Sequence, residues 1–349
     1  GLEGKLFKSR LNFDVAYYHS ETTDQIITVP IDQAVGATSV VVNAGCVRNR
    51  GVEISARFQP VKTKEFEWTI SANWSKNWNK LVELADGVAM WNLNPNITVG
   101  GNIYIRAYPG TELGRLYGRG YERAPEGAFY VDADGSYVDC SNQIVVDAET
   151  GSARLTSTED ELLDLGSIYP DWTAGMSHSL SYKGFRLGLS FSAQWGGKTY
   201  SMTHFALAYQ GKLKNSLKGR YAGMIVPGVN LNENGTYSKN TTITTDIVDH
   251  YTNYVYAREN AEENVFDTSF LKLKELRLEY SLPRHLCSKT RVFQGITVGV
   301  YATNLFCWTN FPLYDPEAGY AVGSSISRGI EAGAYPMTRT YGINLKLDF

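Results

Sequence analysis

The last ten residues, Thr340 to Phe349 (TYGINLKLDF), alternate without a break between apolar side chains and polar or small ones. Successive side chains of an extended strand point to opposite faces, so this period of two predicts a strand with one apolar face. The apolar positions are Tyr341, Ile343, Leu345, Leu347 and Phe349. A soluble sheet and a membrane barrel both contain such strands, so the rest of the chain has to decide between them.

The composition indicates an all-β protein. The 349 residues include 23 Tyr, 7 Trp and 33 Gly but 5 Met, which favours strands and tight turns over helices. A formal net charge of -3 gives no basic excess, so we expect no nucleic-acid partner. Neither the four cysteines nor the five histidines show metal-ligand spacing, and we expect no metal or other cofactor.

Period-two alternation recurs along the chain and predicts about ten strands in all. Tight or short links join some of them, as at Lys183-Gly184. Two of the strands are expected between Asn102 and Val138, where Gly and Pro blur the pattern. The clearest alternation covers residues 11–17, 52–58, 66–74, 172–182, 185–195 and 296–302.

One strand shows a change of phase. In FLKLKELRLEYSLP, Phe270 to Pro283, the apolar positions shift by one residue after Leu273. A β-bulge, which inserts one extra residue into a strand, explains such a shift. We therefore predict a bulge near Lys274 and Glu275.

Short and long connections alternate between the predicted strands. Every second connection is long, as in an outer-membrane barrel, where periplasmic turns are short and extracellular loops are long. The short links lie at 59–65, 183–184 and 283–295, and the long ones at 19–46, 79–110, 136–171, 198–268 and 305–338.

The two faces of the strands also favour a membrane barrel. Aromatic side chains recur near the ends of the apolar rows, where interfacial girdles lie, and the opposite face carries Arg, Glu, Asn, Ser and Lys. The sequence thus predicts a transmembrane antiparallel β-barrel segment. Packing of the aromatic rows in a soluble core is the alternative.

A series of short motifs follows in a fixed order along the chain. They are Asn49-Arg-Gly-Val-Glu53, Asn73-Trp-Ser-Lys-Asn-Trp-Asn79, Leu113-Gly114, Tyr117-Gly118, Pro170-Asp-Trp172 with Gly175, Phe270 to Pro283, Asn304-Leu-Phe306, Asp315-Pro-Glu317 and Tyr335-Pro336. In this order they resemble the carboxy-terminal part of a SusC-like TonB-dependent transporter of the RagA/SusC family. The match runs over nearly the whole chain, and the stretch Phe270 to Pro283 is its strongest part.

This resemblance implies a bacterial outer-membrane protein with a barrel of about 22 strands around an amino-terminal plug. Residues 1–349 would form the carboxy-terminal barrel portion, with the plug absent from this chain. The family's partners are a SusD-like lipoprotein lid, TonB acting through the plug, and the lipid of the outer membrane. Its solutes are oligosaccharides and sometimes peptides. The terminal Phe349 resembles the family's membrane-insertion signal.

The sequence contains no motif that indicates catalysis, so we expect no enzyme. Asp132-Ala-Asp134-Gly135 has the spacing of a calcium loop, but the later ligands and the final Glu are missing, which favours a plain turn. Two segments, Thr156 to Gly166 and Thr245 to Ala257, could form short loop helices that serve for packing.

Sugars bind to aromatic faces that have polar groups between them, so aromatic residues of the outer loops are candidates for solute binding. The same side chains could instead pack the loops together or meet the lipoprotein partner. The candidates are Trp91, Tyr104, Tyr200, Tyr209, Tyr221 and Trp308.

Two alternative functions remain open from the sequence. One is a soluble or surface-exposed all-β module for carbohydrate binding or adhesion. The other is a small passive porin, because an even number of strands near ten can close a barrel. The identity of the solute does not follow from the sequence.

Overall fold

The computed structural model describes residues 1–30, 36, 39–43, 45–93, 103–157, 162–287, 289, 292–317, 320–322 and 325–349. Its main feature is a wall of nine antiparallel strands, in which each strand pairs with its neighbours in chain order. We number them β1 (Leu2–Leu6), β2 (Leu11–Thr22), β3 (Cys46–Lys62), β4 (Phe66–Glu83), β5 (Trp172–Tyr182), β6 (Phe185–Trp195), β7 (Phe270–Ser281), β8 (Gly295–Thr309) and β9 (Thr340–Asp348).

Connections between the wall strands alternate in length, as predicted. Four short links, at 7–10, 63–65, 183–184 and 282–294, lie at one end of the wall, and four long loops lie at the other. The long loops cover 23–45, 84–171, 196–269 and 310–339. In the tightest link, Lys183 and Gly184 both have positive φ, which matches the right-handed twist of a two-residue hairpin.

The apolar face of the wall is exposed along its rows. Cross-strand pairing aligns Leu180, Leu187, Leu278, Val300 and Ile343 in one row. Ile343 is 80% exposed and Leu345 is 58% exposed, so this face does not pack into a dry core. The opposite face aligns polar residues instead, with the row Ser177, Ser190, Glu275, Thr303 and Thr340.

The predicted bulge in β7 is confirmed. Pairing of β7 with β8 shifts between Leu273 and Glu275, and the pairing of β6 with β7 shifts at the same level. Lys274 is the extra residue relative to β6, whereas relative to β8 the extra residue lies in β8, where Asn304 and Leu305 oppose Lys274. The bulge restores the alternation, so the apolar rows continue from Leu276 to Tyr280 on the exposed face.

The prediction of two wall strands between Asn102 and Val138 is wrong. The strands found there have three to five residues, which is too short to cross a membrane, and they belong to small sheets within the long loop 84–171. The wall has nine strands in the part of the chain that the structure describes, in agreement with the predicted number of about ten.

The long loops hold further short strands and helices. The strands are Ile26–Pro30, Ser39–Asn43, Trp91–Asn92, Ile103–Ala107, Arg115–Gly118, Phe129–Val131, Tyr137–Asp139, Val145–Val146, Leu163–Ser167, Lys198–Ser201, Met224–Ile225, Val229–Leu231, Tyr237–Lys239, Ile243–Thr244, Val265–Asp267, Tyr320–Val322, Ser325–Ser327 and Ile330–Glu331. The helices are Met202–Tyr209, Lys214–Leu217, Ile247–Asp249, His250–Val255, Glu262–Asn264 and, in the short link 282–294, Arg284–Cys287.

One of the two predicted loop helices is confirmed. Residues 247–255 form a short α-helix followed by a π-helical turn. In the other segment, residues 158–161 lie outside the described part of the chain, and Leu163–Ser167 is a strand rather than a helix. None of the helices in the described ranges has the length and hydropathy that a membrane-crossing helix requires.

Most of the buried hydrophobic residues in the described part of the chain lie in the long loops. Their largest cluster joins three of the long loops and is built from Ile103, Ile105, Leu116, Ile168, Tyr200, Ala261 and Ile330. These residues come from segments that are far apart in sequence. The loops are therefore packed against one another into a folded unit at the long-loop end of the wall.

Candidate solute-binding face and its supports

The polar face of the wall bounds an open cleft of about 830 Å³. Charged and hydroxyl side chains of five neighbouring strands, β1 to β5, point into it, and β6 contributes one serine. The polar residues that line the cleft are Glu3, Lys5, Asn12, Asp14, Ser55, Arg57, Ser71, Asn73, Ser177 and Ser190. This chemistry suits a hydrated interior, because each of these groups can exchange hydrogen bonds with water or with a polar solute.

The asparagine and glycine motifs shape this polar face. The ring of Tyr18 lies over Gly51, where an added Cβ would be 2.2 Å from Cζ of the ring. The Tyr18 hydroxyl donates to Oδ1 of Asn77 (3.0 Å), and Nδ2 of Asn77 donates to Oδ1 of Asn49 (3.2 Å). These motif residues therefore hold an aromatic ring flat against the wall.

A buried ion cluster ties the last long loop to the wall. Lys272 of β7 is 3% exposed, and its Nζ lies 2.6 Å from Oδ1 of Asp315. Glu317 accepts from Lys272 and also from Nζ of Lys274 (2.8 Å). The Asp315-Pro-Glu317 motif thus acts as an anchor for the loop 310–339.

A second buried carboxylate joins this loop to the loop 196–269. Glu331 is fully buried, and it accepts hydrogen bonds from Oγ of Ser201 and from Oγ1 of Thr203, both at 2.6 Å. Beside it, Tyr200 pairs with Ile330 in a short parallel ladder. The position of the loop 196–269 is therefore set by hydrogen bonds to the loop 310–339.

One small sheet in the loop 84–171 has two distinct faces. Its strand order is 163–167, 115–118, 103–107 and 91–92. Ile103, Ile105 and Leu116 point into the loop core, where they contact Tyr200. Because side chains alternate along a strand, the residues between them form the opposite face.

That opposite face, which we call the tyrosine face, consists of Tyr104, Arg106, Arg115, Tyr117 and Asp164. Cross-strand pairing aligns Tyr104 with Tyr117 and Arg106 with Arg115. The Arg106 guanidinium lies 4.1 Å from the centre of the Tyr104 ring, and Nε of Arg115 donates to Oδ2 of Asp164 (2.7 Å). Burial, together with the nearby Asp164 charge, raises the pKa of the Tyr117 hydroxyl.

The tyrosine face combines two half-buried rings with charged groups held in fixed positions. Aromatic rings bind the apolar faces of sugar rings, and Arg and Asp side chains exchange hydrogen bonds with hydroxyl groups. Of the residues that the sequence predicted for solute binding, only Tyr104 lies here. Arg106, Arg115, Tyr117 and Asp164 were missed. Alternation in the segments YIRA and RLYG indicates which of their side chains share a face. That these two faces lie side by side follows only from the pairing of the two strands.

The structure places the other candidates in different surroundings. Tyr200 is 1% exposed in the loop core, and Trp91 pairs with Ala107 on the apolar side of the small sheet. Tyr209 and Tyr221 are exposed on the loop 196–269. Trp308 lies in β8 rather than in a loop and pairs with Leu271 of the apolar row, so it faces away from the polar cleft. The structure does not bring the six predicted residues together.

The terminal Phe349 is exposed, and its ring centre lies 5.2 Å from that of Phe293. This contact places an aromatic pair at the short-link end of the wall.

The Asp132-Ala-Asp134-Gly135 turn has a counterpart in the same protein. Asn232-Glu-Asn234-Gly235 makes the same backbone hydrogen bonds and the same contact of its third side chain in the next loop: Ser136 N donates to Asp134 Oδ1 (2.9 Å), and Thr236 N donates to Asn234 Oδ1 (3.1 Å). The second turn forms with Asn232 and Asn234 in place of the two aspartates. The Asp132 and Asp134 side chains therefore act as hydrogen-bond acceptors that stabilise the turn. Across the described ranges, no group of three His, Cys, Asp or Glu side chains has the arrangement of a metal site.

Comparison with known proteins identifies the wall. Residues 1–305 match the family model described as the β-barrel of TonB-dependent receptor-like proteins. TonB-dependent receptor P3 of Formosa agariphila is 27% identical over 360 residues, which cover all of this chain and 33% of that protein. TonB-dependent receptor SusC of Bacteroides thetaiotaomicron is 22% identical over 366 residues, which cover all of this chain and 31% of that protein. The chain thus spans about a third of the length of these relatives.

A solved structure has the same fold. The RagAB peptide transporter superposes with a TM-score of 0.70 at 22% identity, over 99% of this chain and 34% of that one. The exposed apolar rows therefore face the lipid of the bacterial outer membrane, the short links face the periplasm, and the polar face lines the interior. The chain belongs to the β-barrel family of TonB-dependent receptor-like proteins.

Proposed function

We propose that this chain forms part of the wall and outer loops of a SusC-like transporter that imports an oligosaccharide across the outer membrane. Import would draw on energy delivered through TonB and would use a SusD-like lipoprotein as lid. The function would be transport rather than catalysis. The observation that carries the solute class is the tyrosine face, because it presents two aligned rings with Arg106, Arg115 and Asp164 beside them.

The supports of this face favour binding over simple loop packing. The small sheet buries Ile103, Ile105 and Leu116 on its other side. The hydrophobic core therefore does not require the side chains of the tyrosine face. A row of rings backed by a rigid sheet loses little conformational freedom when a sugar stacks on it. The hydrated cleft along the wall would then receive the solute.

The test uses the complete transporter, expressed in its own bacterium in place of the native gene. The double variant Tyr104→Ala/Tyr117→Ala is compared with Tyr221→Ala, which removes an exposed tyrosine outside the face. Cells are grown on oligosaccharides from starch, xylan, arabinan or mannan as sole carbon source. We expect the double variant alone to lose growth on one of these, with an unchanged amount of protein in the outer membrane.

A peptide solute is the second candidate. RagAB, which shares the fold, is described as a peptide importer, and the paired charges of Arg115 and Asp164 would suit the groups of a peptide chain. Growth on a peptide digest forms the matching arm of the experiment. Loss of growth on peptides alone would identify this second solute class, and equal growth of all strains on every source would reject the tyrosine face as the binding site.

A further inference from the structure

The short links at the periplasmic end of the wall are strongly basic. Their described residues include six basic side chains, Lys8, Arg10, Lys64, Lys183, Arg284 and Lys289, against the single acidic Glu65. In contrast, the sequences of the four long loops contain 26 acidic and 14 basic residues. The two ends of the wall thus carry net charges of opposite sign, although the net charge of the whole chain is only -3.

All six of these basic side chains are exposed. Only Lys183 has an ion-pair partner among the described residues, because its Nζ lies 3.2 Å from Oε2 of Glu65. Structural ion pairing therefore does not account for the others. We call this set of six residues the basic rim.

A row of aromatic side chains lies directly beside the basic rim. Cross-strand pairing aligns Phe66, Tyr182, Phe185 and Tyr280 on the lipid-facing side of the wall. The ring centres of Phe185 and Tyr280 are 4.4 Å apart, and Nζ of Lys183 lies 5.4 Å from the centre of the Tyr182 ring. Such aromatic belts mark the level of the lipid head groups.

The position of the basic rim relative to this belt defines its depth. Lys64 precedes Phe66 by two residues and Lys183 follows Tyr182 directly. At about 3.3 Å per residue, Lys64 and Lys183 lie within one or two residues of the aromatic level, where the phosphates of the periplasmic leaflet lie. Successive short links are two strands, or about 10 Å, apart, so the charges are spread along the membrane surface.

We propose that the basic rim binds the phosphate groups of anionic phospholipids in the periplasmic leaflet of the outer membrane. Each Lys or Arg near such a surface attracts anionic lipid, and the belt beside the rim packs against the acyl chains. An acidic polypeptide segment could also meet these charges, but it would not account for their location beside the lipid-facing aromatic row. The bound lipids would fix the depth of the barrel wall.

The experiment uses the complete transporter, purified and placed in nanodiscs of equal parts phosphatidylglycerol and phosphatidylcholine. Lipids that stay bound after mild detergent extraction are counted by native mass spectrometry. The rim variant is Lys8→Gln/Arg10→Gln/Lys64→Gln/Arg284→Gln. Its matched control, Lys212→Gln/Lys214→Gln/Lys218→Gln/Lys239→Gln, removes four exposed basic residues from the long loop 196–269. Heat-dependent migration in gels confirms that each variant is folded.

We expect the unchanged protein and the loop control to retain phosphatidylglycerol over phosphatidylcholine by about fivefold or more, and the rim variant to show no preference. High salt should abolish the preference as well, because it screens exposed charges. The proposal is overturned if the unchanged protein shows no preference, or if the loop control loses it to the same extent. It is also overturned if the rim variant keeps the preference, since the basic rim would then not be the group that binds the lipid.

Discussion

Nζ of Lys272 lies 2.6 Å from Oδ1 of Asp315, in a position where both side chains are almost fully buried. The pair joins a wall strand to the loop 310–339. The bulge at Lys274 places a second lysine beside the same loop, where it contacts Glu317. The ordering of this outer loop therefore depends on charges that the wall presents at its outer end.

Substitution of Lys272→Met should release this loop. It leaves Asp315 buried without a cation, and breaking a buried pair in this way costs about 3–5 kcal/mol. Hydrogen exchange of residues 310–317 should accelerate strongly. The control is Lys346→Met, since Lys346 pairs with Asp348 at an exposed position. Equal exchange in both variants would show that the buried pair does not hold the loop.

Substitution of Gly51→Ala should destabilise the wall, because the new Cβ would overlap the Tyr18 ring. Overpacking of this kind costs about 1–3 kcal/mol. Gly188→Ala is the control, since its Cβ would have its nearest neighbour at 3.8 Å. The temperature at which the folded barrel converts to the slower gel band should fall for Gly51→Ala only. Adding Tyr18→Ala should restore most of the loss, and a failure to do so would place the strain elsewhere.

The double change Asp132→Asn/Asp134→Asn should leave the hairpin intact, because Asn232 and Asn234 make the same turn. Calcium should have no effect on the thermal stability of either protein. Differential scanning calorimetry with and without calcium provides the measurement. If calcium stabilises the unchanged protein and not the variant, this turn is a metal site after all.

The packed loops should loosen in mild acid. Burial lowers the pKa of His204, although its hydrogen bond with Asn264 acts in the opposite direction. Burial likewise lowers the pKa of His250. Both are therefore neutral in the fold and bind protons more readily when unfolded. Their contribution to stability is complete above the ordinary pKa of about 6.5 and is lost as the pH falls below it.

Limited proteolysis of residues 202–257 should therefore be faster at about pH 5.5 than at about pH 7.5. The hairpin 129–139, which contains no histidine, serves as the reference in the same molecule. The carboxyl of Glu263 opposes the effect, because burial raises its pKa and it binds a proton more readily in the fold. Equal cleavage of both regions at the two pH values would contradict the assignment.

Eight of the nine wall strands could be predicted from the sequence because each of them carries its own alternation, whereas β1 (Leu2–Leu6) was not predicted. In TYGINLKLDF or at Lys183-Gly184, a local pattern of alternating side chains or a two-residue turn is sufficient. Even the bulge at Lys274 was visible as a change of phase. The short strands between 103 and 139 were assigned to the wall in error, since a strand of three to five residues shows the same alternation in either setting.

The sequence by itself determined eight of the nine wall strands, the hairpin and the two faces, because period-two alternation is a property of neighbouring residues. Tertiary structure alone decided that Tyr104 lies beside Tyr117, that Glu331 holds Ser201 across 130 positions of the chain, and that Tyr200 is buried. These contacts join segments that are far apart in the sequence, and the local pattern of one segment does not indicate which other segment it contacts. They form only when the wall brings the ends of its long loops together, and the buried core then selects one arrangement.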